Sequence, residues 1–269
     1  MKKERRLIID FHTHAFPDEI AQRALNAIEH AGGIKPNFDG TLKGLLNSME
    51  DAGVSISVVL SIATKPSQFD SILRWSSSIL SEKIIPFPSV HPDDKQAREH
   101  ILQIKEEGFK GIKMHPYFQN FYVDEERMFP IYEVITEAGL ILVMHSGYDF
   151  AWERVDRAGP HRILKVIENF PELKLVAAHS GGWEQWDMVE ELLIGKRIFI
   201  ETSFSSSFLK EEQFERLILK HSSDMVLFGT DTPWANQKKA LQQFNNSGIP
   251  DNIRRKILGE NAAKLLGIL

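Results

Sequence analysis

Cysteine is absent from this chain of 269 residues, and its absence limits the metal sites that the chain can build. Without a thiol there is no disulfide and no thiolate ligand, so a metal ion must be held by histidine and carboxylate groups. An apolar run long enough to cross a bilayer, about 20 residues, is also missing. The basic N-terminal stretch MKKERRLIID is not followed by an apolar segment of signal length. We therefore expect a cytoplasmic protein.

A tract of positive charge is missing as well. The chain has 32 Lys and Arg against 37 Asp and Glu, which gives a net charge of −5. This balance argues against a surface that binds nucleic acid or an anionic membrane, so we expect a small-molecule substrate as the partner. A homodimer is the commonest assembly for such a protein, although nothing in the sequence decides the oligomeric state. No linker or low-complexity segment divides the chain, and residues 1–269 are predicted to form a single domain.

Apolar, β-branched runs alternate with longer amphipathic stretches along the whole chain. Near-continuous apolar runs are typical of strands that are buried on both faces of a parallel sheet. Eight such runs lie at 7–12, 54–62, 84–90, 111–115, 140–145, 174–179, 197–203 and 225–230. Eight strand–helix units in about 250 residues, without a glycine-rich phosphate loop after the first strand, favour an α/β fold of the (β/α)₈ TIM-barrel type over a doubly wound sheet.

Amphipathic stretches between these runs predict the helices. They are expected over residues 41–52, 94–107, 124–138, 160–170, 183–194, 210–221 and 235–246, followed by two extra C-terminal helices within 250–266. Pro130 inside the third stretch predicts a kink or a later start of that helix. No long insertion is expected after the first or the second strand.

Histidines collect where the predicted strands end. Six of the ten lie at or just after the C-terminal end of a strand, namely His12, His14, His91, His115, His145 and His179. In a (β/α)₈ barrel these ends converge on one mouth, and that mouth holds the active site. Residues two apart on a strand project to the same side, so the two histidines of LIIDFHTH can bind one metal ion.

The last strand adds a carboxylate to this mouth. Asp231 ends MVLFGTD, and the closure of a barrel places the last strand beside the first. Three imidazoles and one carboxylate suit Zn²⁺, with Mn²⁺ or Fe²⁺ as alternatives, and a position left for water makes the site catalytic. His145 and His179 end consecutive strands in the same His-Ser-Gly pattern. Their positions alone do not separate His179 from the metal ligands.

Taken together, these motifs resemble the amidohydrolase superfamily, and most closely its amidohydrolase-related branch of metal-dependent hydrolases and non-oxidative decarboxylases. The resemblance rests on DFHTH at 10–14, His145 after strand five, FPELKLVAAHSGG at 170–182, GTDTPW at 229–234 and LGENAAKLLGI at 258–268. It implies that His12, His14, His145 and Asp231 bind one divalent metal ion. It also implies that His179 is a catalytic or substrate-polarising histidine beside that ion. In the mechanism that we expect, Asp231 accepts the proton of the water and delivers it to the leaving group.

The leading hypothesis is hydrolysis of an ester, lactone or amide by a water molecule that the metal activates. Decarboxylation of an aromatic or unsaturated carboxylic acid is the alternative, and a barrel that binds a ligand or metal without turnover is a second one. The absence of a long insertion to enclose a bulky acid favours hydrolysis. Asp10, Ser146 and Ser180 are expected to orient the metal-binding imidazoles.

Further residues lie at or just beyond the predicted mouth. Candidate substrate contacts are His115, Tyr117, Tyr148, Arg154 and Trp234. Lys113 shares the inward parity of His115, so the resemblance allows a carboxylated lysine that bridges two metal ions, and a plain structural lysine is the other interpretation.

Overall fold

Parallel strands alternate with helices from residue 9 onward in the computed structural model, which describes residues 6–268. The strands are β1 (Ile9–Thr13), β2 (Ile56–Leu60), β3 (Ile84–Phe87), β4 (Gly111–Met114), β5 (Ile141–Met144), β6 (Lys174–Ala177), β7 (Phe199–Glu201) and β8 (Val226–Leu227). They pair in chain order, β1 to β3 in one run and β4 to β8 in another, and every pair is parallel. Each strand lies within a predicted apolar run, or in β1 extends one residue beyond it.

Two junctions close these runs into a barrel. Next to β8, the backbone amide of Asp231 donates to the carbonyl of His12 on β1 at 2.8 Å. Between β3 and β4, the amide of Lys113 donates to the carbonyl of Pro88 at 2.9 Å. The predicted (β/α)₈ fold is confirmed, and strand one adjoins strand eight as the metal-site hypothesis requires.

Apolar side chains from the strands fill the interior of the barrel. This cluster contains Ile9, Phe11, Val58, Leu60, Phe87, Ile141, Val143, Val176 and Leu227. Ala262, Ala263 and Leu266 of the last helix pack onto the same cluster. The interior is therefore a packed core, and the polar residues gather above it at the C-terminal strand ends.

The helices are α1 (Asp18–Gly32), α2 (Leu42–Ala52), α3 (Phe69–Ile79), α4 (Ala97–Glu106), α5 (Phe129–Glu137), α6 (Pro160–Asn169), α7 (Trp186–Leu192), α8 (Glu211–Lys220), α9 (Gln237–Asn246), α10 (Asp251–Arg255) and α11 (Asn261–Leu266). A π-helical turn, Lys256–Glu260, joins the last two, which are the extra C-terminal helices that the sequence predicts. Pro130 lies in the first turn of α5 and so marks a later start rather than a kink. Within residues 6–268, no helix is both long and apolar enough to cross a membrane.

Helix α1 corrects the expectation that no long insertion follows the first strand. It has 15 residues and lies between β1 and α2, where the sequence patterns predict no element. Only Ala21 and Leu25 of this helix are buried. Leu25 packs in a cluster with Trp183, Phe204 and Trp234, which follow β6, β7 and β8, and this contact holds α1 at the mouth of the barrel.

Candidate metal centre and active site

The ends of β1 and β8 bring His12, His14 and Asp231 together. The two Nε2 atoms are 3.2 Å apart, and Oδ1 of Asp231 lies 3.2 Å from Nε2 of His14 and 3.5 Å from Nε2 of His12. Two ligands of a tetrahedral zinc ion, each about 2.0–2.1 Å from the metal, are separated by roughly 3.3 Å. The three atoms therefore have the spacing of ligands on one ion.

The hydrogen bonds behind the two rings support the same interpretation. Nδ1 of His12 donates to Oε1 of Glu201 at 2.9 Å, and Nδ1 of His14 donates to the carbonyl of Leu60 at 2.9 Å. With the ring proton on Nδ1, each Nε2 presents a lone pair to the other. Two lone pairs at 3.2 Å repel each other, and a cation between them would remove that repulsion. The residues thus fit a divalent metal ion.

A second group lies beside the first and contains His115, His145 and Asp149. Oδ2 of Asp149 is 3.2 Å from Nε2 of His115 and 3.8 Å from Nε2 of His145. The two imidazole rings stack with centroids 4.1 Å apart. Nε2 of His145 donates to the carbonyl of Tyr148 at 2.9 Å, so its Nδ1 carries a lone pair.

His179 stands between the two groups. Its Nε2 lies 3.1 Å from Nδ1 of His145, and its ring centroid is 5.2 Å from that of His12. Of the four ligands that the family resemblance implies, three share one triad, and His145 lies in the neighbouring group. Asp231 and His179 both have positive φ angles, 68° and 58°, which non-glycine residues adopt rarely and most often at functional sites.

Glu201, at the end of β7, organises the polar groups behind the triad. It is fully buried, and its Oε1 accepts hydrogen bonds from Nδ1 of His12 at 2.9 Å, from the amide of His179 at 3.0 Å and from Oγ of Ser203 at 2.6 Å. Oγ of Ser203 also lies 2.9 Å from Nδ1 of His179. These two residues orient the histidines of two separate strands.

The expectation that Asp10 orients an imidazole is wrong, because none of the hydrogen bonds to its carboxylate comes from a ring nitrogen. Its Oδ2 accepts from Oγ1 of Thr230 at 2.6 Å and from Nε2 of Gln237 at 2.8 Å. Burial raises the pKa of Asp10 to about 7. Ser146 is also not a ring partner, since its Oγ donates to the carbonyl of Met144. Oγ of Ser180 is buried without a hydrogen-bond partner among the described residues.

Lys113 on β4 places a cation at the floor of the same cavity. Its side chain is buried, and Nζ has no hydrogen-bond partner among residues 6–268. Burial lowers the pKa of Lys113 to about 8. Burial, reinforced by this lysine, also holds the pKa of His12 and of His115 well below the ordinary histidine value. Both imidazoles are therefore neutral, which is the form that binds a metal ion.

Asp231 keeps its charge in this environment. Burial by itself would raise the pKa of its carboxyl group, but the interactions with His12 and His14 outweigh that effect, so the pKa lies below its ordinary value and the carboxyl group is ionised at neutral pH. The site thus combines the neutral imidazoles of His12 and His115 with an ionised carboxylate.

These polar groups line a cavity of about 560 Å³, a size ordinary for small-molecule sites. Among the predicted substrate contacts, His115 and Trp234 line it. Tyr117 does not, because its hydroxyl donates to the carbonyls of Gly147 and Val155 and so fastens the β5–α6 loop.

Two further predicted contacts, Tyr148 and Arg154, also lie outside the cavity lining. The guanidinium of Arg154 stacks on the Tyr148 ring at 4.4 Å and pairs with Glu184 at the exposed surface. His91 accepts a hydrogen bond from the amide of Asp93 in a turn, again outside the cavity. Sequence reasoning missed Asp149, whose only signal is its place four residues after His145.

A (β/α)₈ barrel whose strand ends gather histidines and an aspartate in this way belongs to the class of metal-dependent barrel enzymes. The chain is a member of the amidohydrolase family, because the family model described as amidohydrolase matches residues 9–268. Enzymes of this family bind a divalent metal ion, and the groups described above could hold one.

Similar proteins fall into more than one chemical class. The chain is 30% identical over 104 residues to a dihydroorotase from Azotobacter vinelandii, a match that covers 35% of this chain and 30% of the dihydroorotase. An uncharacterised TIM-barrel protein from Bordetella bronchiseptica has a TM-score of 0.77 at 19% identity, over 97% of this chain and 98% of that one. A dihydroxybenzoic acid decarboxylase from Polaromonas sp. JS666, solved with bound manganese, has a TM-score of 0.72 at 15% identity, over 98% and 97%. For the two solved structures, identities of 19% and 15% establish the shared fold alone.

Proposed function

We propose that this protein is a metal-dependent hydrolase that acts on the carbonyl group of a small-molecule ester, lactone or amide. The observation that carries the proposal is the triad of His12, His14 and Asp231, which has the spacing of metal ligands and opens into the cavity. His145 would be the fourth ligand. The donor set suits Zn²⁺, with Mn²⁺ or Fe²⁺ as alternatives. When bound, such an ion supplies activation of water and polarisation of the substrate carbonyl.

Each neighbouring side chain has a role in this reaction. Asp231 is ionised, so it accepts the proton of the attacking water and passes it to the leaving group. His179 lies beside the triad, where it would stabilise the oxygen on which negative charge develops or assist the proton transfer. Glu201 holds His12 and His179 in place through hydrogen bonds. Lys113 offers an unshared ammonium group to a substrate oxygen.

His115 and Trp234 are the substrate contacts of this proposal, since both line the cavity. Tyr117 instead supports the β5–α6 loop, and Tyr148 and Arg154, which belong to this loop, stack on each other outside the cavity lining. The substrate is the only partner that the reaction requires.

Non-oxidative decarboxylation of an aromatic or unsaturated acid is the second candidate, and helix α1 favours it. A bulky acid needs an insertion that encloses it, and α1, which lines the cavity, is such an insertion. In this case Lys113 would bind the substrate's oxygen atoms, and a histidine or Asp231 would protonate the carbon that loses carbon dioxide.

Product analysis in ¹⁸O-labelled water separates these candidates. The metal-loaded protein would be incubated with panels of esters, lactones, amides and aromatic or unsaturated carboxylic acids. We expect ¹⁸O in a carboxylic acid product and no release of carbon dioxide. Carbon dioxide release without ¹⁸O incorporation would refute hydrolysis and support the decarboxylase. A metal-replete protein that is inert across all panels would point to a barrel that binds its ligand without turnover.

A further inference from the structure

The cavity above the metal-ligand triad is chemically divided. Its floor carries the histidines, Lys113, Asp149 and Asp231, whereas most of the residues that form its walls are apolar. A cavity of about 560 Å³ is much larger than an acetyl or formyl group, so the polar floor alone does not fill it. The chemistry of the walls therefore indicates which kind of group the unreactive part of the substrate contains.

Helix α1 forms one wall. Ile20, Arg23, Ala24, Ala27 and Ile28 line the cavity, and four of these five residues are apolar. Ile20 keeps 36% of its surface exposed, and Arg23, the only charged member, is exposed. The helix is thus held to the barrel by Leu25 while a second apolar surface faces the open cavity. Apolar groups arranged around a cavity favour an apolar ligand, because its binding removes both surfaces from water.

Aromatic side chains complete the walls. Phe118 and Phe150, from the loops after β4 and β5, line the cavity together with Trp183 and Trp234. Trp75 of α3, Phe16 and Phe204 contribute further rings. Planar rings of this kind suit a flat or extended apolar body, and each buries a large area when it is covered.

The polar floor of the cavity determines which groups can bind at the reacting end of the ligand. Nζ of Lys113 is buried without a partner, a state that costs free energy until an acceptor reaches it. A carboxylate or carbonyl oxygen at the reacting end of the substrate would supply that acceptor and would lie beside the triad.

We propose that the substrate is an amphipathic small molecule with a bulky aromatic or aliphatic body and one oxygen-rich end, and that α1 determines the specificity for its body. This inference rests on the proposed function for the location of the reacting end, and it holds for either reaction at that end. The apolar body lies between α1 and the aromatic walls, while the oxygen atoms reach Lys113 on the floor.

Binding of unreactive acids tests this inference without any turnover. Acetate, butyrate, hexanoate, octanoate and 2-naphthoate would be titrated into metal-free and metal-loaded protein, with tryptophan fluorescence and calorimetry as readouts. Each methylene that enters an apolar site contributes about 0.8 kcal/mol, so we expect Kd to fall roughly fourfold per methylene. The same slope is expected without metal, because the walls cause it. Values of Kd that agree within threefold from acetate to octanoate, or no octanoate binding at millimolar concentration, would overturn the inference.

Two variants of α1 test whether this helix causes the preference for longer acids. Ala24→Trp fills the wall, and we expect octanoate to bind at least tenfold more weakly while acetate binding stays within twofold. Gln22→Trp is the matched control, since Gln22 lies on the same helix outside the cavity lining and is exposed. If Ala24→Trp fails to fold, Ile20→Gln tests the same wall at a partly exposed position. Equal octanoate binding by the wall variant and the control would assign the specificity elsewhere.

The outcomes also separate this inference from the proposed function. A protein that shows the chain-length slope but turns over none of the panel compounds would refute the proposed reactions and keep the substrate class. A protein that turns over small acetyl compounds as well as bulky ones, without the slope, would refute the substrate class and keep the reaction.

Discussion

Oε1 of Glu201 lies 2.9 Å from Nδ1 of His12 and also accepts the backbone amide of His179 at 3.0 Å. One carboxylate oxygen from β7 therefore fixes histidines on β1 and at the end of β6. A charged acceptor behind a histidine increases the basicity of the opposite ring nitrogen and fixes the ring in one orientation. The position of Glu201 thus controls the metal-facing Nε2 atom of His12.

Replacing this carboxylate should weaken metal binding. For Glu201→Gln we expect the affinity for Zn²⁺ to fall by about 10–100-fold, the range typical for partners of metal-binding histidines. Competition with a fluorescent chelator measures this change. Glu190→Gln is the control, because Glu190 pairs with Arg216 on the outer helices and lies outside the cavity. A Glu201→Gln protein with an affinity within threefold of the wild type would contradict the role given to Glu201.

Lys113 should lower the free energy of unfolding of the metal-free protein, although it contributes to substrate binding. Burial lowers its pKa from 10.5 to about 8, so at pH 7 the ammonium group is less stable in the folded protein than in the unfolded chain. We expect the metal-free Lys113→Met variant to be more stable at pH 7 by about 1–2 kcal/mol, because the variant buries no charge at this position. Urea unfolding measures the free energy, and turnover should fall at least tenfold.

The pH dependence of the same variant provides an independent check. Between pH 8 and 10 the folded protein has released the Lys113 proton while the unfolded chain still binds it, so wild-type stability rises with pH in this window. The methionine variant should lack this rise. A variant that is less stable than the wild type at pH 7, or that keeps the same rise, would show that Lys113 has a partner of its own.

His221 should make folding stability sensitive to acid outside the active site. Its Nε2 donates to the carbonyl of Ile198 at 2.8 Å and its Nδ1 accepts the amide of Gly195 at 3.1 Å, an arrangement that requires the neutral ring. Burial lowers the pKa of His221 below 6.5, so below pH 6.5 the unfolded chain binds a proton that the folded protein does not. Stability therefore falls as the pH falls.

The size of this contribution follows from the pH range. Between pH 7.5 and 5.5, His221 should account for up to about 1.4 kcal/mol of the loss, one pKa unit at 1.36 kcal/mol. Urea unfolding of metal-free wild type and His221→Gln at both pH values isolates this share, since the other buried histidines remain in both proteins. Parallel pH dependences of the two proteins would show that His221 contributes nothing.

The sequence predicted the barrel because its strands follow a simple physical rule. Strands buried on both faces are mostly apolar, and most of the eight runs have that composition. The mouth followed from the same rule, since His12, His14 and Asp231 come directly after apolar runs that the barrel brings side by side.

Helix α1 was not predicted, although its apolar residues repeat with as clear a helical period as those of α2. Its apolar residues form two surfaces, one that packs Ala21 and Leu25 and one that faces the cavity, and only the tertiary structure shows this division. Its importance comes from the ligand cavity, which lies beyond the reach of local periodicity.

The hydrogen-bond and charge partners of the site histidines could not be predicted from the sequence either. Glu201 is 189 residues from His12 in the sequence, and only the closed barrel shows that their side chains meet. Asp149 meets His115 through the β5–α6 loop, whose course no strand pattern fixes. Tyr117 and Arg154 follow strand ends as expected, but hydrogen bonds and an ion pair turn them away from the cavity.

Metal analysis tests the central claim most directly. Wild-type protein and the Asp231→Asn variant would be purified side by side and dialysed first against a small excess of Zn²⁺ and then against metal-free buffer. Mass spectrometry then measures the number of metal ions per chain. We predict one tightly bound divalent ion in the wild type and its loss in the variant, because Asp231 supplies one of three converging ligand atoms. A wild-type protein without bound metal, or a variant that retains a full equivalent, would contradict the claim that His12, His14 and Asp231 form a metal centre.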